Sequence, residues 1–405
     1  MDKEIKERIA AINSGIIPEG YKKTKVGIVP VEWEVEHIGE HLQEYRELSN
    51  DIEKYPVYSS SRKGLIPQSD YYDQKEATQT NLGYKIVPVG YVTYRHMSDD
   101  DIFHFNLNTT GKSVLVSSEY PVFNAKSNAN LYYIISCLNE MPRFRYFCRS
   151  QKLGGTRTRL YYKNLSMYQL SFPPLPEQQK IAEILSTQDK LIELQEKKIE
   201  QLKELKKAYL QKMFPKKGSK YPELRFKGFT DPWEQRKLGD MCDEFQSGKS
   251  IKASEITDSG RYAVYGGNGF RGYTNTYNHD GDFALIGRQG ALCGNMNFSS
   301  GKAYFTEHAV AVHGNNDNDT LFLYYLLDLM NLGQYSGQSA QPGLAVNKII
   351  QLTTKVPNIA EQKQISCFFK ALDNLITLHQ RKSEQEKQKK KALMQLLLTG
   401  IVRTK

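Results

Sequence analysis

The chain contains one long helix-forming segment twice. Residues 173–214 and 357–398 align without a gap at a fixed offset of 184 residues, and 16 of the 42 aligned positions are identical. A repeat of this size indicates two copies of one structural unit. Because glycine- and strand-rich sequence precedes each copy, the repeat predicts a globular module followed by a long helix, made twice.

The repeat also includes the start of each module. The two tryptophans of the chain, Trp33 and Trp233, match at an offset of 200 residues, as do Gly39 and Gly239. Both module bodies contain short β-branched and aromatic runs broken by turn residues, together with short apolar helices. We therefore predict an α+β fold of two mixed modules related by a pseudo-twofold axis. The predicted domains are an N-terminal helical segment over 1–19, the first module over 20–171, the first long helix over 172–215, the second module with a short linker over 216–355, and the second long helix over 356–405.

Each long helix begins after a proline, with Glu177 or Glu361 in its first turn. A narrow heptad stripe favours pairing of the two helices with each other, because neither helix buries its stripe alone. Two independent surface helices are the alternative. The polar centre of the second helix, 379–391, is interpreted as partly solvated or facing a partner. The stripe positions are Ile181, Leu185, Gln188, Ile192, Gln195, Ile199, Leu202, Lys206, Tyr209 and Met213 in the first helix, and Ile365, Phe369, Leu372, Ile376, His379, Ser383, Glu386, Lys390, Leu393 and Leu397 in the second.

Composition narrows the class of protein. The formal charge of +10 over 405 residues favours a polyanionic partner, although a basic soluble protein without one fits equally well. There is no apolar run long enough to cross a membrane, so no membrane association is predicted. The five cysteines are scattered without a CxxC pair, which indicates neither zinc nor disulfides and favours a cytoplasmic location.

No catalytic motif is present in the sequence. It lacks a GxxxxGK[ST] phosphate loop and the N-P-P-aromatic motif of adenine methyltransferases. The acidic run Asp99-Asp100-Asp101 has two interpretations, a metal site and a solvated turn, and the turn is favoured. We therefore predict a binding or scaffolding role, with no cofactor, no metal and no catalytic residue.

Basic and amide side chains lie among aromatic residues and glycines in both modules. Arg, Gln and Asn form bidentate hydrogen bonds with base edges, and Lys and Arg bind phosphates. The alternative is that these residues lie in ordinary solvated loops. The candidate DNA-binding residues are Arg62, Lys63, Tyr94, Arg95, Arg157 and Arg159 in the first module, and Asn268, Arg271, Arg288, Gln289, Gln338 and Gln341 in the second.

These features together resemble the specificity (S) subunits of type I restriction-modification systems. The most specific marks are the repeated Pro-x-x-x-Glu-Gln-x-x-Ile helix starts, the module openings at Trp33 and Trp233, and a GxxxQPGL loop before the second helix. The first module carries GGTRTRL in place of that loop.

The resemblance implies a non-catalytic subunit whose modules are target recognition domains, each binding one half of a bipartite DNA sequence. It also implies that the two long helices form an antiparallel coiled coil that separates the modules. Three kinds of partner are implied: double-stranded DNA, methyltransferase (M) subunits docked on the coiled coil, and restriction (R) subunits. The subunit would direct adenine methylation and restriction. A coiled-coil adaptor that bridges two proteins is the main alternative, and a fragment of a fused methyltransferase is a weaker one. A strong salt dependence of binding would favour the DNA-binding hypothesis.

Overall fold

A computed structural model describes residues 3–71, 83–152, 154–290, 292–336 and 343–404. The chain forms two compact units: unit 1 is Met1–Leu194 with Ser383–Lys405, and unit 2 is Gln195–Lys382. Each unit therefore contains one module and part of each long helix. The finer division into five segments stays a prediction. None of the helices in these ranges is long and apolar enough to span a bilayer.

Unit 1 is built on a four-stranded antiparallel sheet in the order β11-β9-β13-β4, beside a three-stranded sheet β12-β8-β5. The pairs β1–β2, β3–β15, β6–β7 and β10–β14 complete it. Its elements are α1 (Lys3–Asn13), β1 (Tyr21–Thr24), β2 (Gly27–Pro30), β3 (Glu34–His37), β4 (Leu42–Tyr45), β5 (Leu48–Ser49), β6 (Tyr58–Ser61), β7 (Gly64–Pro67), α2 (Gln68–Tyr71), β8 (Tyr84–Val87), β9 (Val92–Thr93), β10 (Met97–Ser98), β11 (Asn106–Leu107), β12 (Val114–Val116), β13 (Val122–Ala125), α3 (Leu131–Glu140), α4 (Pro142–Ser150), β14 (Thr158–Arg159), α5 (Tyr162–Leu165), β15 (Gln169–Phe172) and the start of α6 (Leu175–Met213).

Unit 2 repeats this plan with longer strands. A four-stranded sheet in the order β17-β23-β20-β21 lies beside a three-stranded sheet β19-β18-β22, and β16 pairs with β24. Its elements after α6 are β16 (Glu234–Lys237), β17 (Cys242–Ser247), β18 (Tyr262–Gly266), β19 (Gly269–Thr274), β20 (Asp282–Gly287), β21 (Met296–Ser300), β22 (Ala303–Phe305), β23 (Ala309–Gly314), α7 (Thr320–Leu329), α8 (Val346–Ile349), β24 (Thr353–Val356) and the start of α9 (Ile359–Leu397).

The repeated tryptophans occupy the centre of each core. Trp33 and Trp233 are 0% and 1% exposed, and each lies just before the strand that pairs with the last strand of its module, β3 with β15 and β16 with β24. The core of unit 1 also includes Ile181 from α6, and that of unit 2 includes Ile365 from α9. Each long helix therefore begins as part of the hydrophobic core of its module.

The repeated Gln of the helix starts joins each long helix to its module. The Oε1 atom of Gln178 accepts from the backbone N of Asn130 at 2.9 Å, and that of Gln362 accepts from the backbone N of Asp319 at 2.9 Å. Asn130 and Asp319 are the N-cap residues of α3 and α7, and each side chain accepts from the third residue on. Both glutamines are buried, so this repeat is explained by a satisfied buried hydrogen-bond network.

The repeated Glu of the same motif forms a buried ion pair in each unit. In unit 1 the Glu177 carboxylate accepts from two guanidinium nitrogens of Arg403 at 2.7 Å and from Nε1 of Trp33 at 3.2 Å. In unit 2 the Glu361 carboxylate accepts from two nitrogens of Arg225 at 2.7 Å. Each arginine lies in the segment that follows the other long helix. In each unit, the Glu of one long helix therefore binds the segment that follows the other long helix through a bidentate ion pair.

The long helices pair antiparallel within each unit. In unit 1 Glu177 contacts Arg403, whereas Gln188, farther along α6, contacts Glu386, earlier in the chain. In unit 2 Gln195 contacts His379 and Lys206 contacts Asp373. Every predicted stripe position of both helices is buried or half-buried. The stripes therefore form the seam along which the two helices pack within each unit, as predicted.

Four positions in the polar centre of α9, His379, Ser383, Glu386 and Lys390, belong to this seam, and the other positions of 379–391 are exposed. Nδ1 of His379 lies 2.7 Å from Oε1 of Gln195, Ser383 is 4% exposed, and Nζ of Lys390 lies 2.6 Å from Asp189. Polar side chains at these positions pair across the helices instead of facing solvent. The stretch is therefore partly solvated, as predicted, and its stripe positions contact the other long helix.

Candidate nucleic-acid interface

Three adjoining cavities form one polar face of unit 1. Their volumes are about 500, 190 and 570 Å³. Arg95 lines the first and second, and Asp99 lines the first and third. The predicted residues Arg62, Lys63, Arg95, Arg157 and Arg159 all line this face. The fold thus gathers five cationic side chains from three separate stretches of sequence.

Strand pairing brings the 154–163 loop to this face. In β10 and β14, Met97 pairs with Arg159 and Ser98 with Thr158, and the backbone N of Leu160 donates to the carbonyl of His96 at 2.8 Å. Exposure alternates along this loop as it does along a strand: Thr158 and Leu160 are buried, and Arg159 between them is exposed. The loop therefore presents its basic side chain outward from an anchored backbone.

The acidic run anchors several arginines of this face. Nε of Arg157 lies 2.8 Å from Asp99, Arg62 pairs with Asp100, and Nε of Arg149 lies 3.3 Å from Asp101. Within the described ranges no cluster of His, Cys, Asp and Glu has the geometry of a metal site. The carboxylates of this run therefore position guanidinium groups, and side-chain exposures of 70% for Asp99 and 41% for Asp100 fit the predicted solvated turn.

Two carboxylates of the run, Asp100 and Asp101, have a pKa below the usual value. Burial raises the pKa of Asp100, but hydrogen bonds from Ser98 and Arg62 outweigh it and leave the pKa below its usual value. A hydrogen bond from the Thr158 hydroxyl lowers the pKa of Asp101, and Arg149 lowers it further against the effect of burial. The ion pairs therefore hold Arg62, Arg149 and Arg157 in defined positions on this face.

Two of the predicted cations keep their guanidinium groups free. Arg95 and Arg159 are exposed and form no side-chain hydrogen bond or ion pair within the described ranges. Both lie near His96, whose pKa is lowered by burial and further by these two charges, against an opposing effect of Glu119. The neutral His96 ring stacks on Tyr161, with centroids 5.6 Å apart.

Tyr94 is not part of this face. Its side chain is 0% exposed, and its hydroxyl donates to the carbonyl of Leu160 at 3.0 Å inside the core. The prediction that Tyr94 contacts DNA is therefore wrong, because the ring packs among Phe103, Phe105 and Phe123. The exposed aromatic residue of the face is Tyr161, which the sequence analysis did not select although it follows Arg159 at a spacing of two.

Unit 2 gathers four predicted residues in one place. Asn268 lies in the turn between β18 and β19, and Arg271 lies on β19. The backbone N of Arg288 donates to the carbonyl of His308 at 2.9 Å, and its side chain donates to Ser247 at 3.3 Å. Asn268, Arg271 and Gln289 are exposed, and Arg288 is half-buried. The face thus combines two amides with two guanidinium groups.

A glycine allows these segments to meet. A Cβ atom on Gly267 would lie 3.1 Å from the carbonyl oxygen of His308 and 3.3 Å from that of Gln289, closer than side-chain atoms usually lie. The β18–β19 turn therefore packs directly on the backbone that carries Gln289. This contact places Asn268 beside Gln289.

The late loops of the two modules are equivalent at their anchors. The backbone N of Leu344 donates to the carbonyl of Arg288 at 2.9 Å, as Leu160 does to His96, and both leucines are buried. This confirms the predicted match of the two loops at those positions. Gln338 and Gln341 lie outside the described residues, so their assignment stays a prediction.

The chain matches the family model of the type I restriction modification DNA specificity domain over residues 30–204 and 230–388. It is 40% identical over 156 residues to the type I restriction enzyme EcoprrI specificity subunit of Escherichia coli, a match that spans 38% of this chain and 39% of that protein. It is 26% identical over 429 residues to the type I restriction enzyme MjaVIII specificity subunit of Methanocaldococcus jannaschii, spanning 96% of this chain and 97% of that one.

A solved structure has the same fold. The type I restriction-modification S subunit from M. genitalium superposes with a TM-score of 0.66 at 16% identity, covering 90% of this chain and 96% of that one. The family model covers both modules and most of both long helices. The chain therefore belongs to the type I restriction-modification specificity subunits, the non-catalytic S subunits of these systems.

Proposed function

We propose that this chain binds a bipartite DNA sequence, with the unit 1 face contacting one half-site and the unit 2 face the other. The observation that carries the proposal is the convergence of Arg62, Lys63, Arg95, Arg157 and Arg159 on one face of unit 1. Partner M and R subunits in the bacterial cytoplasm would then methylate adenine and cleave DNA at the place this chain selects.

The two faces differ in chemistry, which supports binding of different half-sites. The free side chains of the unit 1 face include the guanidinium groups of Arg95 and Arg159, which pair in bidentate fashion with guanine. Unit 2 presents the amides of Asn268 and Gln289, which pair with adenine, together with the partly anchored Arg288. The ion-paired Arg62 and Arg157 suit phosphate contacts, since their positions are already fixed.

Salt dependence tests whether the unit 1 face binds DNA. We expect the affinity of the full chain for a mixed-sequence duplex to fall steeply with salt, and the double variant Arg62→Met/Arg157→Met to reduce the log–log slope by about 1–2, since each phosphate contact contributes about 0.9. The control Lys203→Met/Lys207→Met removes the same charge from exposed positions of α6 and should leave the slope nearly unchanged. A salt-independent affinity would instead support the adaptor hypothesis.

Exposed leucines at equivalent places on the two long helices support docking of two identical partners. Leu191 and Leu194 are 42% and 62% exposed, and Leu375 and Leu378, at the offset of 184, are 37% and 47% exposed. Each pair is spaced by three residues, so both side chains lie on one helix face. The sequences of the modules have diverged, whereas these exposed leucines are identical. This is expected if each leucine pair binds one of two identical M subunits.

We expect Leu191→Ser/Leu194→Ser to lose one of two M subunits in co-purification, and Leu375→Ser/Leu378→Ser to lose the other. The control is Leu205→Ser, because Leu205 is 43% exposed on the same helix but aligns with Lys389 in the repeat. The mass of each complex, measured by light scattering, gives the stoichiometry. Two M subunits bound to both double variants would rule out these leucines as the docking sites.

A further inference from the structure

Two charged residues of the helix repeat recur in identical clusters. Asp189 and Asp373 are equivalent at the offset of 184, and so are Lys206 and Lys390. Nζ of Lys390 lies 2.6 Å from Oδ1 of Asp189 in unit 1, and Nζ of Lys206 lies 2.6 Å from Oδ1 of Asp373 in unit 2. Each unit therefore holds one Asp–Lys pair, made by the Asp of one helix copy and the Lys of the other.

A tyrosine from the module completes each cluster. The Tyr325 hydroxyl of α7 donates to Oδ2 of Asp373 at 2.7 Å, and the Tyr132 hydroxyl of α3 donates to Oδ2 of Asp189. The two oxygens of each carboxylate thus serve different elements, one a long helix and the other the module. Lys206 also lies over the Tyr325 ring, 5.1 Å from its centroid.

The two tyrosines reach the cluster from different sequence positions. Tyr132 follows its N-cap residue Asn130 by two residues, and Tyr325 follows its N-cap residue Asp319 by six. The difference of four residues is about one helical turn, so both tyrosines lie on the same face of their helices. The cluster is therefore kept although the surrounding α3 and α7 sequences differ.

Both tyrosines remain neutral donors. Burial raises the pKa of Tyr132 and Tyr325 far above the usual value, and the hydrogen bond to Asp189 or Asp373 raises it further. A neutral hydroxyl bound to a partly buried carboxylate forms a short, strong hydrogen bond. In each cluster, a single Asp carboxylate on one long helix thus binds both the other long helix, through Lys, and the module, through Tyr.

We propose that these two Asp–Lys–Tyr clusters are positioning sites that fix each module on its helix pair and thereby set the length of the unread DNA spacer between the half-sites. This inference rests on the proposed function, because spacer length has a meaning only for bipartite recognition. The clusters touch neither face described above. They act on spacing, and they leave the sequence of each half-site unchanged.

The test uses Tyr325→Phe, which removes one hydroxyl and no volume. Tyr324→Phe is the matched control, because Tyr324 is the adjacent half-buried tyrosine and forms no hydrogen bond through its hydroxyl within the described ranges. Each chain is expressed with its M subunits in cells that lack other adenine methylation, and methylated sites are mapped across the genome. The sequences shared by the methylated sites give both half-sites and the spacer between them.

We expect wild type and Tyr324→Phe to methylate one spacer length. Tyr325→Phe should methylate the same half-sites at spacers one base pair longer or shorter about tenfold more than wild type does, the effect of losing one hydrogen bond to a charged group. Lys206→Met should broaden the spacer in the same way from the other side of the carboxylate.

An unchanged spacer in both Tyr325→Phe and Lys206→Met would overturn the inference, and so would a change in the half-site sequence. Loss of all methylation by a Tyr325→Phe chain that melts at the wild-type temperature would also contradict the inference. A module that is held less rigidly on its helix pair should still bind DNA. A wild-type chain that yields no bipartite motif would instead refute the proposed function. The two failures are therefore distinguishable.

Discussion

Replacing Arg225 with Met is expected to lower the free energy of unfolding of unit 2 by about 3–5 kcal/mol. The side chain of Glu361 is 0% exposed, and that of Arg225 is 14% exposed. Two guanidinium nitrogens contact the two carboxylate oxygens at 2.7 Å. Methionine keeps the apolar stem but leaves a buried carboxylate without its cation, which is the costly way to break such a pair.

Arg403→Met in unit 1 provides the comparison. Glu177 retains the hydrogen bond from Trp33 at 3.2 Å, whereas Nε1 of Trp233 has no partner among the residues that the structure describes, so the loss in unit 1 should be smaller. The double variant Arg225→Met/Glu361→Gln should recover part of the stability, because it removes the buried charge. Urea unfolding followed by circular dichroism measures all three. A loss below about 1 kcal/mol for Arg225→Met would show that Glu361 is solvated in the folded chain.

The ion pair of unit 1 also has a defined pH dependence. Burial raises the pKa of Glu177, but Arg403 outweighs this effect and leaves the pKa below its usual value. A carboxylate with a lowered pKa stabilises the fold above the pKa of the unfolded chain and loses that contribution as the pH falls. The stability difference between wild type and Arg403→Met should therefore shrink in acid.

The architecture of two modules and two long helices could be predicted from the sequence because the internal repeat marks each unit. The predicted helix starts lie within three residues of Leu175 and Ile359, and proline and the Glu-Gln pair mark both. The seam positions were predictable because a period of 3.5 residues survives its polar interruptions. What the pattern did not show is that Lys206 and Lys390, two of those interruptions, pair with Asp373 and Asp189.

The candidate face was accessible only in part. Arg95 and Arg159 are exposed, but the neighbouring run Val92, Thr93 and Tyr94 is buried throughout, because β9 is an inner strand of its sheet and alternation fails there. The role of the acidic run was hidden as well, since its arginine partners lie about 40 to 60 residues away in sequence. Pairings of that range depend on the fold, and local patterns do not encode them.

Half-site variants are expected to relax DNA recognition on one side only. Arg95→Ala/Arg159→Ala should relax one half-site, and Asn268→Ala/Gln289→Ala the other, with about 1–3 kcal/mol lost for each base contact. All four side chains are exposed and form no side-chain hydrogen bond or ion pair within the described ranges. Their removal should therefore leave the fold intact, and unchanged melting temperatures would verify this.

The most direct measurement is competitive binding by the S–M complex to duplex libraries in which each half-site is randomised in turn. We expect the Arg95→Ala/Arg159→Ala complex to tolerate changes in one half-site and to keep wild-type selectivity for the other. We expect the Asn268→Ala/Gln289→Ala complex to show the reverse. Relaxation of the same half-site by both variants, or equal relaxation of both half-sites by either one, would contradict the assignment of one half-site to each unit.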